Sequence, residues 1–314
     1  MPSPLDPPNT VPSNAFATVV LGGILRHAGT KELRELIFHR SSPEPNEPLL
    51  FDPPGVIGEE PPERLPSQLP PPGTLKLNLQ AVKVIGNGRI GNVCEVAIRY
   101  NNSSSEIHQM LMPPLVIKIS RPYDADTLAR EAFYYEEMEC LQGAVVPRYY
   151  GVYEATIPED CEFKIWNSDL AKEEQERQEQ IKKRPGRPIP ALPPPTLVRI
   201  LVLERLGNHI PLGKPLPSGV KTELRAMYAD MARLGIDQDD IRYYNILRAP
   251  APRSSPLPSL PSPFTQRKYQ WRIIDFDRAR KSNKDEHLHA GVNNGYLERL
   301  LINLPYGDIW EPWH

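Results

Sequence analysis

Four short stretches of this 314-residue chain carry residue types that could handle phosphate and a hard cation. Gly86, Gly88 and Gly91 form a GxGxxG pattern followed by Asn92-Val93. Three glycines in such a turn let the backbone approach an anion and aim N–H groups at it. Lys118 lies in the run LVIKI, among apolar and β-branched neighbours. An ammonium buried there without a partner would be costly, so it calls for an anion. Glu131, one position off the apolar face of the next segment, is its candidate partner. Asp240 and Asn245 stand five apart and are followed by Ile246-Leu247. One can accept a hydroxyl proton, and the other offers an amide oxygen to a cation. Asp275 ends the apolar run Ile273-Ile274 and is followed by Phe276-Asp277. A carboxylate at the end of a buried strand suits a cation that prefers oxygen ligands. Each stretch also has a plainer reading: a glycine hairpin, an edge-strand lysine facing water, a polar turn and a strand-ending aspartate.

The elements around these residues follow from periodicity. In LKLNLQAVKVIG, Leu75, Leu77, Leu79 and Ala81 alternate, the period of a strand. NVCEVAIRY alternates again, with Cys94, Val96, Ile98 and Tyr100 on one face. The glycines therefore sit between two strands, whereas in a dinucleotide-binding unit they would open a helix. Residues 125–141 switch to helical spacing through Leu128, Ala132, Tyr135 and Met138. VRILVL reads as another strand, and Val220, Leu224, Met227, Met231 and Leu234 follow the helical period. A short helix is expected over 292–302, and His287 and His289 are expected at the surface. No internal repeat is apparent.

The order of these signals resembles the protein kinase superfamily over residues 75–285, in particular the divergent kinase-like proteins of mushroom-forming fungi. The resemblance implies an α+β, two-lobed protein-kinase-like fold with an antiparallel-sheet N-lobe and a reduced helical C-lobe. It implies ATP and Mg²⁺ as cofactors and phosphoryl transfer of Ser/Thr type to an unknown protein substrate. Gly86, Gly88, Gly91 and Val93 would cover the nucleotide. Lys118 would grip its phosphates and pair with Glu131, and Glu204 to Leu206 would form the hinge that reads adenine. Asp240 would be the catalytic base, with Asn245 and Asp275 as metal ligands. The pattern departs at Gln238-Asp239, where His-Arg is usual, and at Asp277, where glycine is usual. Only 39 residues follow Asp275, too few for the usual peptide-substrate platform. A nucleotide-binding module without turnover and a small-molecule kinase are thus the competing readings.

The bulk composition is compatible with this. Hydrophobic residues at 39% support a core, while 38 prolines mark segments outside it. The expected divisions are a Pro-rich, largely disordered region 1–74, an N-lobe 75–206 with a charged and Pro-rich insertion at 167–197, and a C-lobe 207–314 with a Pro/Ser-rich insertion at 249–264. In the first region one short ordered element is expected around Phe16 to Phe38. A net charge of −2 provides no field for nucleic acid or an anionic membrane. The basic cluster Lys182 to Pro188 reads as a solvated linker. The Pro-rich tracts fit SH3 or WW ligands, with disordered spacers the simpler reading. Three scattered cysteines without a CxxC pair, no basic leader and only a ten-residue apolar stretch at Phe16 to Leu25 point to an intracellular protein, cytoplasmic or nuclear.

Overall fold

A computed structural model describes residue 7 and residues 9–43, 62–88, 90–100, 110–121, 124–163, 197–282 and 286–307. The loop 101–109, the basic cluster 182–188 and, apart from Leu197, the insertion 167–197 lie outside the described residues.

Seven strands close into a barrel. β1 (Phe16–His27) pairs antiparallel with β2 (Leu33–Arg40) and parallel with β3 (Leu75–Asn87). β3 pairs with β4 (Gly91–Ile98), and β4 with β5 (Leu115–Ser120). β6 (Tyr149–Thr156) lies between β2 and β8 (Leu197–Glu204), and β8 returns to β5. β7 (Cys161–Phe163) adds to β1 outside this ring. Arg40 ties the closure, donating from Nε to the Phe16 carbonyl and from Nη2 to the Tyr150 carbonyl, each at 2.8 Å. Gly151 makes room for it: φ is +125° there, and a Cβ would lie 2.7 Å from the guanidinium.

The closed barrel overturns the expected two-lobed kinase-like fold with its antiparallel-sheet N-lobe. Its ring is mixed, and two of its strands come from the Pro-rich first region. Among the described residues there are only three α-helices: α1 (Ala125–Glu137), α2 (Ser218–Ala232) and α3 (Glu286–Asn303). The physical reason is non-local. The apolar run FATVVLGGILRH binds a strand some sixty residues later in parallel, and local alternation carries no information about a partner that distant.

Period two divides the side chains of the central strands between two cores. Ile117 and Ile119 of β5, with Ile200 and Val202 of β8, fill the barrel interior beside Phe38, Leu77 and Cys94. Val116, Leu201 and Leu203 face the other way, against α1, α2 and α3. All six residues of β5 are buried, as expected of a strand covered on both faces. Lys118 therefore points out of the barrel toward the helical layer.

Two short ladders complete the second layer. β9 (Ile236–Gln238) pairs with β12 (Ala279–Lys281), and β10 (Ile246–Arg248) with β11 (Trp271–Ile273). The stretch 249–264 lies in the connection between β10 and β11 and is not a free spacer. Leu257 and Ser262 are buried, Leu260 N–H donates to the Gly143 carbonyl, and Arg148 donates to the Pro258 carbonyl. No helix among the described residues is long and apolar enough to cross a membrane.

Candidate phosphate and metal site

The pairing of β10 with β11 assembles the site. Asn245 immediately precedes β10, and Asp275 lies two residues beyond β11. Because Ile246 pairs with Ile273, both arrive at the same end of the ladder. The connection leaves from the other end, so its length does not disturb them. The Ile274 N–H also donates to the Asn245 carbonyl at 3.0 Å. Asn245 Nδ2 donates to the Asp240 carbonyl at 3.0 Å, which commits the nitrogen and leaves Oδ1 as the ligand atom for a cation.

Lys118 is the centre of charge. Its ammonium lies 2.6 Å from Glu131 Oε2 and 2.6 Å from Asp275 Oδ1, with a tenth of the side chain exposed. Burial alone would push the ammonium pKa down, but Asp275, Glu131 and Asp277 outweigh that and hold it above its ordinary value. Glu131 is raised to about 7, mainly by burial; Lys118 pulls it down, while Asp275 and Asp277 push it further up. Two carboxylates thus contact the one ammonium, with Asp277 acting on it through space, and such a concentration of carboxylates is a setting that suits a hard cation.

Carboxylate oxygens of Asp240, Asp275 and Asp277 all lie within 4.8 Å of one another. Asp275 adopts φ +69°, a left-handed backbone that aspartate tolerates better than most residues. Gln238 supports this turn: its Nε2 donates to the carbonyls of Ile274 at 2.8 Å and Asp275 at 3.2 Å. The Tyr228 hydroxyl donates to Gln238 Oε1 at 3.0 Å and so fixes the amide's orientation. The glutamine noted as a departure in the sequence thus braces Asp275.

The glycine hairpin forms the roof, with Gly86 facing Val93 across β3 and β4. Only Gly91 is sterically obligatory, since a Cβ there would meet the Ile119 carbonyl at 1.9 Å. At Gly86 and Gly88 a Cβ meets nothing closer than 3.4 Å, so packing does not require glycine at either position. The cleft beneath has a volume of about 980 Å³ and is walled by Val93, Val116, Leu203 and Leu206. Glu204 reaches it with little to offer: its carboxylate accepts from Arg148 Nη1 at 3.0 Å, and its N–H donates to the Arg148 carbonyl.

Every site residue named from the sequence lines this one cleft. Sequence reasoning missed others. Arg242 donates to Asp240 Oδ1 and to the Tyr244 hydroxyl, and Arg278 lines the mouth. His289, expected at the surface, is fully buried. Its Nδ1 lies 2.7 Å from Asp237 Oδ1 and its Nε2 3.3 Å from Ser282 Oγ. The signal was present: His289, Asn293, Leu297 and Leu300 recur at helical spacing along one face of α3. Ser282 is 2% exposed, so this Ser–His–Asp set has no substrate access and serves to hold α3 on β9.

A scan against protein-family models finds no match, and a search of curated proteins finds none either. The closed seven-strand barrel overturns the resemblance to the protein kinase superfamily.

Proposed function

We propose that this cleft binds a nucleoside triphosphate with Mg²⁺ and transfers its terminal phosphoryl group to a hydroxyl. The observation that carries the reading is the Lys118 ammonium shared between Glu131 and Asp275 beside the three-aspartate cluster and under an open glycine hairpin. The cleft volume suits a ligand of nucleotide size.

In this reading Lys118 binds the phosphates and Glu131 holds it in place. Asp275, Asp277 and Asn245 Oδ1 would hold Mg²⁺. The chemistry a cation held there would supply is charge neutralisation on the phosphate oxygens. Asp240 accepts the acceptor's hydroxyl proton while the acceptor oxygen bonds to the terminal phosphorus and the bond from that phosphorus to the diphosphate oxygen breaks. The nucleoside diphosphate leaves. Arg242, on Asp240 Oδ1, keeps the carboxylate aligned and places positive charge where the transferred group passes. A serine or threonine side chain is the first acceptor to test, and small alcohols the next.

The Arg242 contact also supports a second reading, nucleotide binding without turnover, because it occupies one oxygen of the proposed base. Labelled-ATP turnover with and without Mg²⁺, compared between wild type and Asp240→Asn, separates the two. Phosphoryl transfer requires turnover that falls by roughly 10²–10⁴-fold in the variant, the usual contribution of a positioned base. Bound nucleotide with no turnover in either protein would leave the binding reading standing.

A further inference from the structure

Outside the cleft, α1 and β12 are joined by a second buried ion pair. Lys281 Nζ meets Glu137 Oε2, with the side chains 10% and 8% exposed. Neither residue lines the cleft. Glu137 is the last residue of α1, where a carboxylate opposes the helix dipole, and no basic residue sits in that last turn. Helix stability therefore does not account for Glu137, whereas its contact with β12 does. A second contact lies nearer the site: Arg130 Nη2 donates to the Ala279 carbonyl at 3.1 Å. The two contacts bracket Glu131.

From β12 the linkage runs back to the cleft. Ala279 pairs with Gln238, and Lys281 pairs with Ile236. Gln238 braces Asp275, Asp275 holds Lys118, and Lys118 holds Glu131. The links form a closed ring of α1, β12, β9, the Asp275 turn and β5. β12 starts two residues after Asp277, so very little chain separates the metal-binding turn from the strand that anchors α1.

We propose that Glu137 and Lys281 are positioning residues that hold α1 so that Glu131 stays on Lys118 before any nucleotide binds. The role in catalysis rests on the phosphotransfer reading; the positioning itself does not. The site is then assembled by its own fold and needs no modification or ligand to bring α1 in.

The test uses the full chain and has a readout that needs no nucleotide. Removing one partner alone would strand a buried charge, so the main variant is the double substitution Glu137→Gln/Lys281→Met, which removes both charges. Lys118 acetylation by an amine-reactive reagent, read by mass spectrometry together with hydrogen exchange over α1, should rise roughly tenfold as local opening becomes easier. Lys281→Arg, which keeps the charge, should stay at the wild-type rate. Glu137→Asp, shorter by one methylene but still charged, covers the case in which the double variant does not fold, and should also raise Lys118 labelling. Given turnover, kcat should fall about 10- to 100-fold from misplacement of the phosphate grip, with KM for nucleotide changed far less. A folded double variant, or Glu137→Asp, whose Lys118 is as protected as in wild type overturns the proposal, even if its melting temperature drops. Absence of turnover in wild type would overturn the phosphotransfer reading alone, because the labelling result stands without it.

Discussion

Ile117 and Lys118 are neighbours on β5, yet they belong to different parts of the molecule. Ile117 points into the barrel, a region filled by aliphatic and aromatic side chains in which neighbouring strands do the holding. Lys118 points into the layer between barrel and helices, where an ammonium, three carboxylates and a braced turn concentrate charge. The barrel interior is stabilised mainly by apolar packing, with the Tyr153 hydroxyl hydrogen-bonded to backbone carbonyls and Arg40 at the closure, whereas the cleft keeps charges together at a cost that packing elsewhere must offset. In this chain the stabilising region and the chemical region are the two faces of the same sheet.

The sharpest test of that division is substitution of the two neighbours. Lys118→Met should abolish Mg²⁺-nucleotide turnover, by about 10²–10³-fold or more, as expected when a preorganised charge is lost. Ile117→Ala should cost ~2–5 kcal/mol of stability by opening a cavity. It should leave nucleotide affinity, measured by titration calorimetry below the unfolding range, within about twofold. If Ile117→Ala instead removed binding while stability held, the two faces would not be separable.

The glycine hairpin offers a second contrast. Gly91→Ala drives a methyl into the Ile119 carbonyl and should lower the melting temperature. Gly88→Ala has room and should leave it unchanged while weakening nucleotide binding, because the methyl intrudes on the ligand side. Equal melting temperatures for the two variants would break the distinction between the packed and the open glycine.

Charge balance in the cleft predicts a pH effect. The folded-state pKa of Glu131 is raised to about 7, above the ordinary 4.5, so this group's contribution to stability is full below pH 4.5 and is lost as pH rises through about 7. Mg²⁺ should offset that loss. At about 100 times its Kd it adds ~2.7 kcal/mol by mass action, and thermal shifts should show a larger effect at pH 8 than at pH 6. A pH-independent Mg²⁺ shift would place the cation away from this cluster.

The smallest effect concerns the thiols. Cys94, in the barrel, is 1% exposed, and burial pushes its thiol up to about 11, whereas Cys161 sits on the outer strand β7 and is partly exposed. Alkylation at pH 8 followed by peptide mapping should modify Cys161 first, at least roughly tenfold faster than Cys94.

Much of the site was legible in the chain. Lysine among β-branched residues, a glycine turn between two alternating runs, and carboxylates closing apolar stretches are local patterns, and each states a chemical need that its neighbours cannot meet. The ordered element expected around Phe16 to Phe38 falls on β1 and β2, where Val19, Leu21, Ile24 and Phe38 are fully buried; what local pattern did not reveal is that both strands belong to the barrel. His289 was read as a surface residue although it shares a helical face with Leu297 and Leu300.

By itself the sequence determined the strands and helices around the site and the residues that could do chemistry, because periodicity and residue type act over a few neighbours. Tertiary structure alone decided that β1 would pair in parallel with β3 and close a barrel, that β10 and β11 would bring Asn245 to Asp275, and that Lys281 would reach Glu137. Those outcomes depend on pairings between segments far apart in the chain, whose register is set by which faces can be buried together, and no local pattern records it.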